Sequence, residues 1–510
     1  MKFSNYIKYF LLFYLRGIRT PAQFIRFFAK RNAKNIVIED GEVVLTMEEV
    51  NVRSNALANS LLGLGLKKGD KLGISAPNCW EFIVCRLAAY KAGFIFCALI
   101  DDFSHDMAME KITKIKFDAL ITTNKQLIQV CRQLSPDKAP GILVGMSDSE
   151  SASVHQLHQL IDSGDKRNPK ITTNPSDITG IGFTSGTTGK SKGVVWDNKA
   201  WLTSFYHFLL NSNPVSGHMT MLQFIPFSTA GSLAILPWLA SGGKMIIMKG
   251  YNAKKVAEVI TRQKVTHMAM APAFLIDLWS FYKANKSTYS LKSLESISVG
   301  SAALPGDKLK DIILDFGPII QQSYGMAEVL APLASLKILD PILESEKLRS
   351  VGKPIPQINI RLIEKNDDGI GKITVKSKTA CRGYWTEKGL DTSVVKNSWF
   401  TTEDLGRFDR EGNLYIVERK SNLFQRNGQV IFPRNIEELM HTYTGIKNVV
   451  VMNAQNKIQA YIVPHEKAVV DIKQLTQYCK EKLSAAEWPD EYIILDDLSM
   501  SSSGKLLRKL

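Results

Sequence analysis

A chain of 510 residues is longer than one hydrophobic core supports, so at least two domains are expected. Hydrophobic residues at 45% and charged residues at 22% match an ordinary globular protein and exclude long disordered tracts. The net charge of +15 favours acidic partners such as phosphorylated cofactors, acidic carrier proteins or anionic lipid, and no nucleic-acid-binding motif accompanies it.

The basic character begins at the N-terminus, where residues 1–38 hold eight Lys or Arg and no acid. An apolar run, Phe10-Leu11-Leu12-Phe13-Tyr14-Leu15, lies between Lys8 and Arg16, and Phe24, Ile25, Phe27 and Phe28 follow. The run is too short to span a bilayer, and no small-residue cleavage site follows it. Two readings stay open for residues 1–31: an amphipathic segment in a membrane interface, or a helix packed on the body with a solvated basic face.

Beyond this segment, strand-length apolar runs alternate with helical stretches. Strands are expected at 71–75, 94–100 and 119–122, with a helix at 78–92, and later strands at 219–225, 245–248, 267–270 and 296–299. This alternation predicts an α/β body on mostly parallel sheets. From about 351 to 417 the pattern shifts to short strands and frequent turns, a small β-rich subdomain set within about 335–420. Strands at 448–451 and 459–463 and a helix at 472–483 then form a last α+β unit. The expected division is 1–420 and 421–510, with the boundary at Lys420-Ser421-Asn422. Cys79, Cys85, Cys97, Cys131, Cys381 and Cys479 form no C-x-x-C pair and no His–Cys cluster. That spacing argues against zinc or a disulfide scaffold and suits a reducing cytosol.

The stretch Thr184-Ser185-Gly186-Thr187-Thr188-Gly189-Lys190-Ser191-Lys192-Gly193 ends its central part like a Walker loop, but threonine stands where the first Walker glycine belongs. Upstream, Thr179-Gly180-Ile181-Gly182-Phe183 reads as a strand. Downstream, Gly193-Val194-Val195-Trp196 reads as a second strand, with helical pattern only after Asp197-Asn198, a candidate cap. A Walker loop leads directly into a helix, whereas this loop lies between strands. Its three glycines, hydroxyls and two lysines still suit phosphate.

The loop resembles the phosphate-loop signature of the adenylate-forming superfamily, which comprises acyl-CoA synthetases, luciferases, acyl- and aryl-AMP ligases and peptide-synthetase adenylation domains. Companion stretches recur in the family order from about Thr46 to Arg508. Gln322-Ser323-Tyr324-Gly325-Met326-Ala327-Glu328 resembles the segment whose tyrosine flanks adenine and whose glutamate binds magnesium. Gly300-Ser301-Ala302-Ala303-Leu304 resembles the adenine-side turn. Trp399-Phe400-Thr401-Thr402-Glu403-Asp404-Leu405-Gly406 resembles the stretch whose aspartate binds both ribose hydroxyls. Arg419 matches a second ribose contact, Ser421 the hinge, and Ser501-Ser502-Ser503-Gly504-Lys505 the segment carrying a catalytic lysine.

The resemblance implies a large N-terminal domain of two parallel-type α/β subdomains plus a small β-rich subdomain, and a small mobile α+β C-terminal domain. It implies an acid–thiol ligase using ATP and Mg²⁺, with CoA or a carrier protein's phosphopantetheine as acceptor. Lys505 and Glu328 take the catalytic roles, and Glu328 is the metal ligand. Residues Thr184, Ser185, Gly186, Thr187, Thr188, Gly189 and Lys190 hold phosphates. Gly300, Ser301, Ala302, Tyr324, Gly325, Met326, Ala327, Asp404 and Arg419 complete the nucleotide site. Phe227, Thr229 and Gly231 are candidates for the acyl pocket or pantetheine tunnel, and Arg426 and Gly428 for the acceptor loop.

Four positions depart from the pattern. Ala327 replaces a threonine, Thr229 stands where histidine or an aromatic is usual, Asn435 replaces a glutamate, and Ser421 replaces Asp or Lys at the hinge. No aspartate anchors a substrate amine near Thr229, which disfavours amino acids. The apolar stretches 205–238 and 268–278 suit a fatty or other hydrophobic acid, or ordinary core packing. Two further classes remain: a P-loop kinase or ATPase, which requires a helix from Ser191, and a nucleotide-binding descendant with lost or partial activity. A cytoplasmic location is expected, at the inner membrane face if residues 1–31 bind lipid.

Overall fold

The computed structural model describes residues 16–99, 105–146, 154–184, 192–211, 219–302, 304–337, 345–465, 468–498 and 504. Two nine-stranded mixed sheets form the body. In the first, Ile95–Leu99, Lys71–Ser75, Ala119–Thr122, Ile142–Gly145 and His155–Gln156 run parallel in that spatial order. Ile178–Thr184 joins the Ile95–Leu99 edge in parallel, and Lys192–Asp197 returns antiparallel to it. In the second sheet, Lys244–Ile247, Thr220–Gln223, His267–Met270, Ser296–Val299 and Ile320–Met326 are parallel neighbours. The central strands Ile95–Leu99 and Ala119–Thr122 are buried at every residue, which is why they read as continuous apolar runs.

Most element positions follow the sequence pattern, and His267–Met270 and Ser296–Val299 have the expected bounds. The helix expected from residue 78 begins at Trp80. Asn78 is instead a buried bridge: its amide donates to the carbonyls of Ile225 (3.0 Å) and Met248 (3.1 Å), and its Oδ1 accepts from Phe227 N (2.7 Å). Asp40 Oδ2 accepts from Trp80 N at 3.0 Å and so starts the helix.

Two pairings lie outside what periodicity reveals. The hairpin Ile36–Asp40 and Val43–Thr46 joins the second sheet beside Lys244–Ile247, although its sequence neighbours belong to the first. Gly383–Thr386, which falls in the β-rich stretch of sequence, extends the first sheet by pairing with Lys192–Asp197, and Gly389–Asp391 pairs in turn with Gly383–Thr386. The remaining β-rich sheet is antiparallel, with Asn359–Ile363, Gly371–Lys376, Trp399–Phe408, Val395–Lys396 and Leu414–Arg419.

After Arg419, a 3₁₀ turn at Lys420–Asn422 leads to a hairpin, Phe424–Arg426 with Gln429–Ile431, and the helix Pro433–His441. A three-stranded sheet of Ile446–Ala454, Lys457–Pro464 and Glu491–Ile494 packs with the helix Ile472–Lys482. This unit has its own core, built from Ile431, Ile436, Val449, Ile462 and Leu475 among others.

The helix Pro21–Arg31 starts with a capping box between Thr20 and Gln23 and proline at its first turn. Phe24, Ile25 and Phe28 are buried in the main core, with Phe24 5.7 Å from the Phe205 ring. Those rings are spent on packing, so the packed reading holds for this helix. The run Phe10 to Leu15 lies outside the described residues. Among the described residues, no helix is long and apolar enough to cross a membrane.

Candidate active site

The phosphate-loop candidates Ser185, Gly186, Thr187, Thr188, Gly189 and Lys190 lie outside the described residues, as does Ala303; their flanks are fixed. Thr184 pairs with Lys192 and Phe183 with Gly193, so the loop leaves and re-enters one antiparallel pair. No helix begins at Ser191: Lys192–Asp197 is a strand, and the helix starts at Asn198 with Asp197 Oδ1 accepting from Ala200 N at 2.7 Å. That removes the P-loop kinase reading. Gly182 is required by close approach, because a Cβ there would lie 2.4 Å from the Trp196 ring. Trp196 crosses this gap and donates from Nε1 to the carbonyl of Ala327 at 3.0 Å.

Gln322, Ser323, Tyr324, Gly325 and Met326 end a strand, and Ala327 and Glu328 form the turn to Val329–Lys337. Tyr324 is buried, and its hydroxyl donates to Asp404 Oδ2 at 2.6 Å. Asp404 and Arg419 are directly opposite in an antiparallel pair. Arg419 Nε stands 3.9 Å from Asp404 Oδ1, and this buried nitrogen has no hydrogen-bond partner among the described residues. Burial, then the adjoining Asp404 charge, pushes the Tyr324 phenol well above its ordinary range, so it stays a donor. A carboxylate oxygen has two lone pairs, so Asp404 retains capacity for a diol beside the unpaired Arg419 nitrogen. Gly300, Ser301 and Ala302 form the turn after the neighbouring strand Ser296–Val299. Gly300 N donates to the Met270 carbonyl at 3.3 Å, Ser301 takes φ +74°, and Ser301 and Ala302 are exposed. Beside them, the buried Ser323 Oγ lacks a partner among the described residues.

The Glu328 turn is held by three donors: Trp196 on Ala327, Cys381 N on the Glu328 carbonyl at 2.7 Å, and the Tyr384 hydroxyl on Glu328 Oε1 at 2.9 Å. Burial, then Glu328, raises the Tyr384 phenol, and the same two causes push the Cys381 thiol up to about 12. Among the described residues no group of three or more His, Cys, Asp or Glu could hold a metal. A single half-buried carboxylate fits Mg²⁺, which takes few protein ligands and relies on substrate phosphates and water. It does not fit a closed zinc or calcium cage.

On the acyl side the structure redistributes the candidates. Phe227 is a core residue, 1% exposed, with its ring 5.5 Å from Phe82. Thr229 is half-buried, and its hydroxyl donates to the Pro226 carbonyl at 2.9 Å, so it closes a local turn. Gly231 is buried at the start of the helix Ser232–Ser241. Phe205, Trp238, Met268, Leu275 and Leu278 are all buried in hydrophobic clusters, which is the core-packing reading of these stretches.

The hinge candidate Ser421 is exposed within the 3₁₀ turn. Beside it, sequence reasoning missed Glu418, a buried carboxylate accepting from Arg419 N (2.8 Å), Asn422 Nδ2 (2.8 Å) and Arg434 N (3.0 Å). Arg426 is tied inside the C-terminal unit, donating to Trp488 O and Asp490 Oδ1, both at 2.7 Å, and Gly428 sits in the adjoining hairpin turn. Lys505 lies outside the described residues, but Gly504 is buried with φ +80°. A Cβ there would lie 2.7 Å from the Phe274 ring and 2.9 Å from Ala271, at the C-terminal end of the strand His267–Met270. Gly504 thus lies at the end of the second sheet from which the Gly300 turn also emerges.

Residues 25–385 match the family described as AMP-binding enzyme. The chain belongs to the AMP-binding enzyme family. Among relatives of this AMP-binding enzyme, a 2-succinylbenzoate–CoA ligase of Bacillus licheniformis is 27% identical over 492 residues, covering 94% of this chain and 97% of its own. A long-chain-fatty-acid–CoA ligase of Bacillus subtilis is 24% identical, covering 92% and 83%. In fold, the chain matches an anthranilate CoA ligase in complex with anthranoyl-AMP, with a TM-score of 0.84 at 20% identity over 96% of this chain and 95% of that one.

Proposed function

We propose that this AMP-binding enzyme is an acid–thiol ligase that activates a carboxylic acid as its acyl-adenylate and then passes the acyl group to the thiol of CoA. The carrying observation is the Tyr324–Asp404–Arg419 cluster. It offers carboxylate acceptor capacity beside an unpaired buried guanidinium nitrogen, as a ribose diol requires. The naming of relatives as CoA ligases for 2-succinylbenzoate and for long-chain fatty acids supports the reaction class and an acid with an apolar body.

In the first half-reaction the carboxylate oxygen attacks the α-phosphorus of ATP, and the bond to the β-phosphate breaks to release pyrophosphate. Lys190 and the loop hydroxyls would hold the departing phosphates, and Glu328 would hold a Mg²⁺ ion, which would supply charge neutralisation at the phosphate oxygens. Lys505, which follows the Gly504 packed at Phe274, would offset negative charge between the carboxylate and the α-phosphate. The C-terminal unit, residues 421–510, then turns about Ser421 and carries Lys505 away. In the second half-reaction the thiol sulfur attacks the acyl carbonyl, AMP leaves, and the thiol proton passes to solvent. AMP is a good leaving group, so no strong base is needed.

Product analysis tests this reading. With ATP, CoA and a panel of fatty and aryl acids, acid-dependent AMP, pyrophosphate and acyl-CoA are expected in equal amounts. Adenylate without thioester, relieved by a phosphopantetheinylated carrier protein, would move the acceptor from CoA to the carrier. ADP as product, or no turnover with any acid, would contradict the proposal.

A further inference from the structure

The strand that leaves the phosphate loop and the turn of the carboxylate assigned to magnesium are distant in sequence, yet Trp196 bonds to Ala327 across 131 residues. One short segment joins them. Gly383–Thr386 pairs with the loop's exit strand in the register Gly383 with Val195, Tyr384 with Val194 and Trp385 with Gly193. From that position the Tyr384 hydroxyl reaches Glu328 Oε1 at 2.9 Å, while the Lys192 ammonium sits over the Tyr384 ring, 5.1 Å from its centre. Cys381 N, three residues earlier, fixes the Glu328 carbonyl at 2.7 Å. Both ends of Glu328 are therefore held by residues 381–384.

A carboxylate on a turn has a freely rotating head unless one oxygen is engaged. A donor on Oε1 fixes the plane of the group, and among the described residues Oε2 receives no hydrogen bond. We propose that Tyr384 is a positioning residue that orients the Glu328 carboxylate toward the magnesium bound with ATP, and that its strand fixes this carboxylate relative to the strand Lys192–Asp197. The proposal rests on the reading of Glu328 as the metal ligand. Outer-shell partners of metal-binding groups act in this way, and losing one costs about 10–100-fold in metal affinity or activity.

Tyr384→Phe keeps the ring, its packing and its contact with Lys192, and removes only the donor. Mn²⁺ binding to the enzyme–ATP complex, followed by electron paramagnetic resonance without any acid substrate, gives a readout independent of turnover. The Tyr384→Phe variant is expected to weaken Mn²⁺ by about 10–100-fold. Its pyrophosphate–ATP exchange should return to the parent rate at saturating Mg²⁺, with only the half-saturating Mg²⁺ concentration raised. A residue that merely supported the fold would lower the rate at every Mg²⁺ concentration. Thermal melting of each variant, with and without Mg²⁺ and ATP, checks folding; the ligand-induced rise should shrink in Tyr384→Phe while the apo midpoint stays within a few degrees. Glu328→Gln runs alongside. If Glu328→Gln weakens Mn²⁺ and Tyr384→Phe does not, the positioning role is overturned. If neither does while exchange remains acid-dependent, the metal assignment of Glu328 falls and adenylation stands.

Discussion

The Glu418 carboxylate accepts a hydrogen bond from the main-chain N–H of Arg434 at 3.0 Å, joining the strand before the Lys420–Asn422 turn to the first helix after it. This N–H belongs to the first turn of Pro433–His441, where amides lack helical partners and the helix dipole favours an anion. Arg434 adds a second tie, donating from its guanidinium to the Ile416 carbonyl at 2.6 Å. The rotation proposed about Ser421 would have to break both. Glu418 and Arg434 therefore hold the arrangement in which Gly504 is docked.

Arg434→Ala removes the guanidinium tie and leaves the main-chain bond. A hydrogen bond to a charged group contributes about 1.5–3 kcal/mol, so the docked arrangement should lose on the order of tenfold in relative population. Pyrophosphate–ATP exchange is expected to fall several-fold, while single-turnover thioester formation from preformed acyl-adenylate is not slowed. Equal slowing of both steps would argue that Arg434 serves folding alone.

Asp404→Ala removes the acceptor of the Tyr324 hydroxyl and the carboxylate facing the Arg419 Nε. ATP affinity should drop at least tenfold, by roughly the cost of one charge-assisted contact. Tyr324→Phe leaves the carboxylate in place and should weaken ATP less. Isothermal titration with ATP ranks the two, and a reversed order would remove Asp404 from the ribose site.

Gly504→Ala places a methyl 2.7 Å from the Phe274 ring on a backbone with φ +80°. The left-handed conformation costs a non-glycine residue about 1–2 kcal/mol before any contact is counted. Exchange should fall by at least tenfold, and Phe274→Ala in the same chain should restore part of it by opening space. Undiminished exchange would show that this docking is not used in adenylation.

Burial lowers four of the described histidines below their ordinary range, and three of them, His207, His267 and His441, each to about 4. His267 packs 5.2 Å from the Trp238 ring and His441 also faces Lys308. Each is neutral in the folded chain, while the unfolded chain takes up protons below about pH 6.5. Stability is therefore full above that pH and is lost as pH falls from 6.5 toward 4. The urea midpoint should be lower at pH 5.0 than at 7.5, and His267→Gln should flatten the slope. A midpoint that rises at pH 5.0 would contradict this.

The strands His267–Met270 and Ser296–Val299 and the two strands flanking the phosphate loop were legible because local periodicity alone specifies them. The motif residues Tyr324, Glu328, Asp404 and Arg419 were legible through resemblance, and the structure brings Tyr324, Asp404 and Arg419 into one cluster. Tyr384, Glu418 and Asn78 were not, because each acts through a partner set only by long-range pairing. Nothing local marks Tyr384 as a neighbour of Glu328 until its strand is seen to join the first sheet. The same limit applies to Phe227: an aromatic beside a site motif reads alike whether it lines a pocket or, as here, packs on Phe82 in the core.

Pyrophosphate–ATP exchange, measured against a panel of carboxylic acids with and without Lys505→Ala, tests adenylation most directly. The account predicts exchange that depends on a matching acid and falls by about 10²–10³-fold in Lys505→Ala, as when a single charge-stabilising donor is removed. Exchange without any acid, or undiminished in Lys505→Ala, would contradict it.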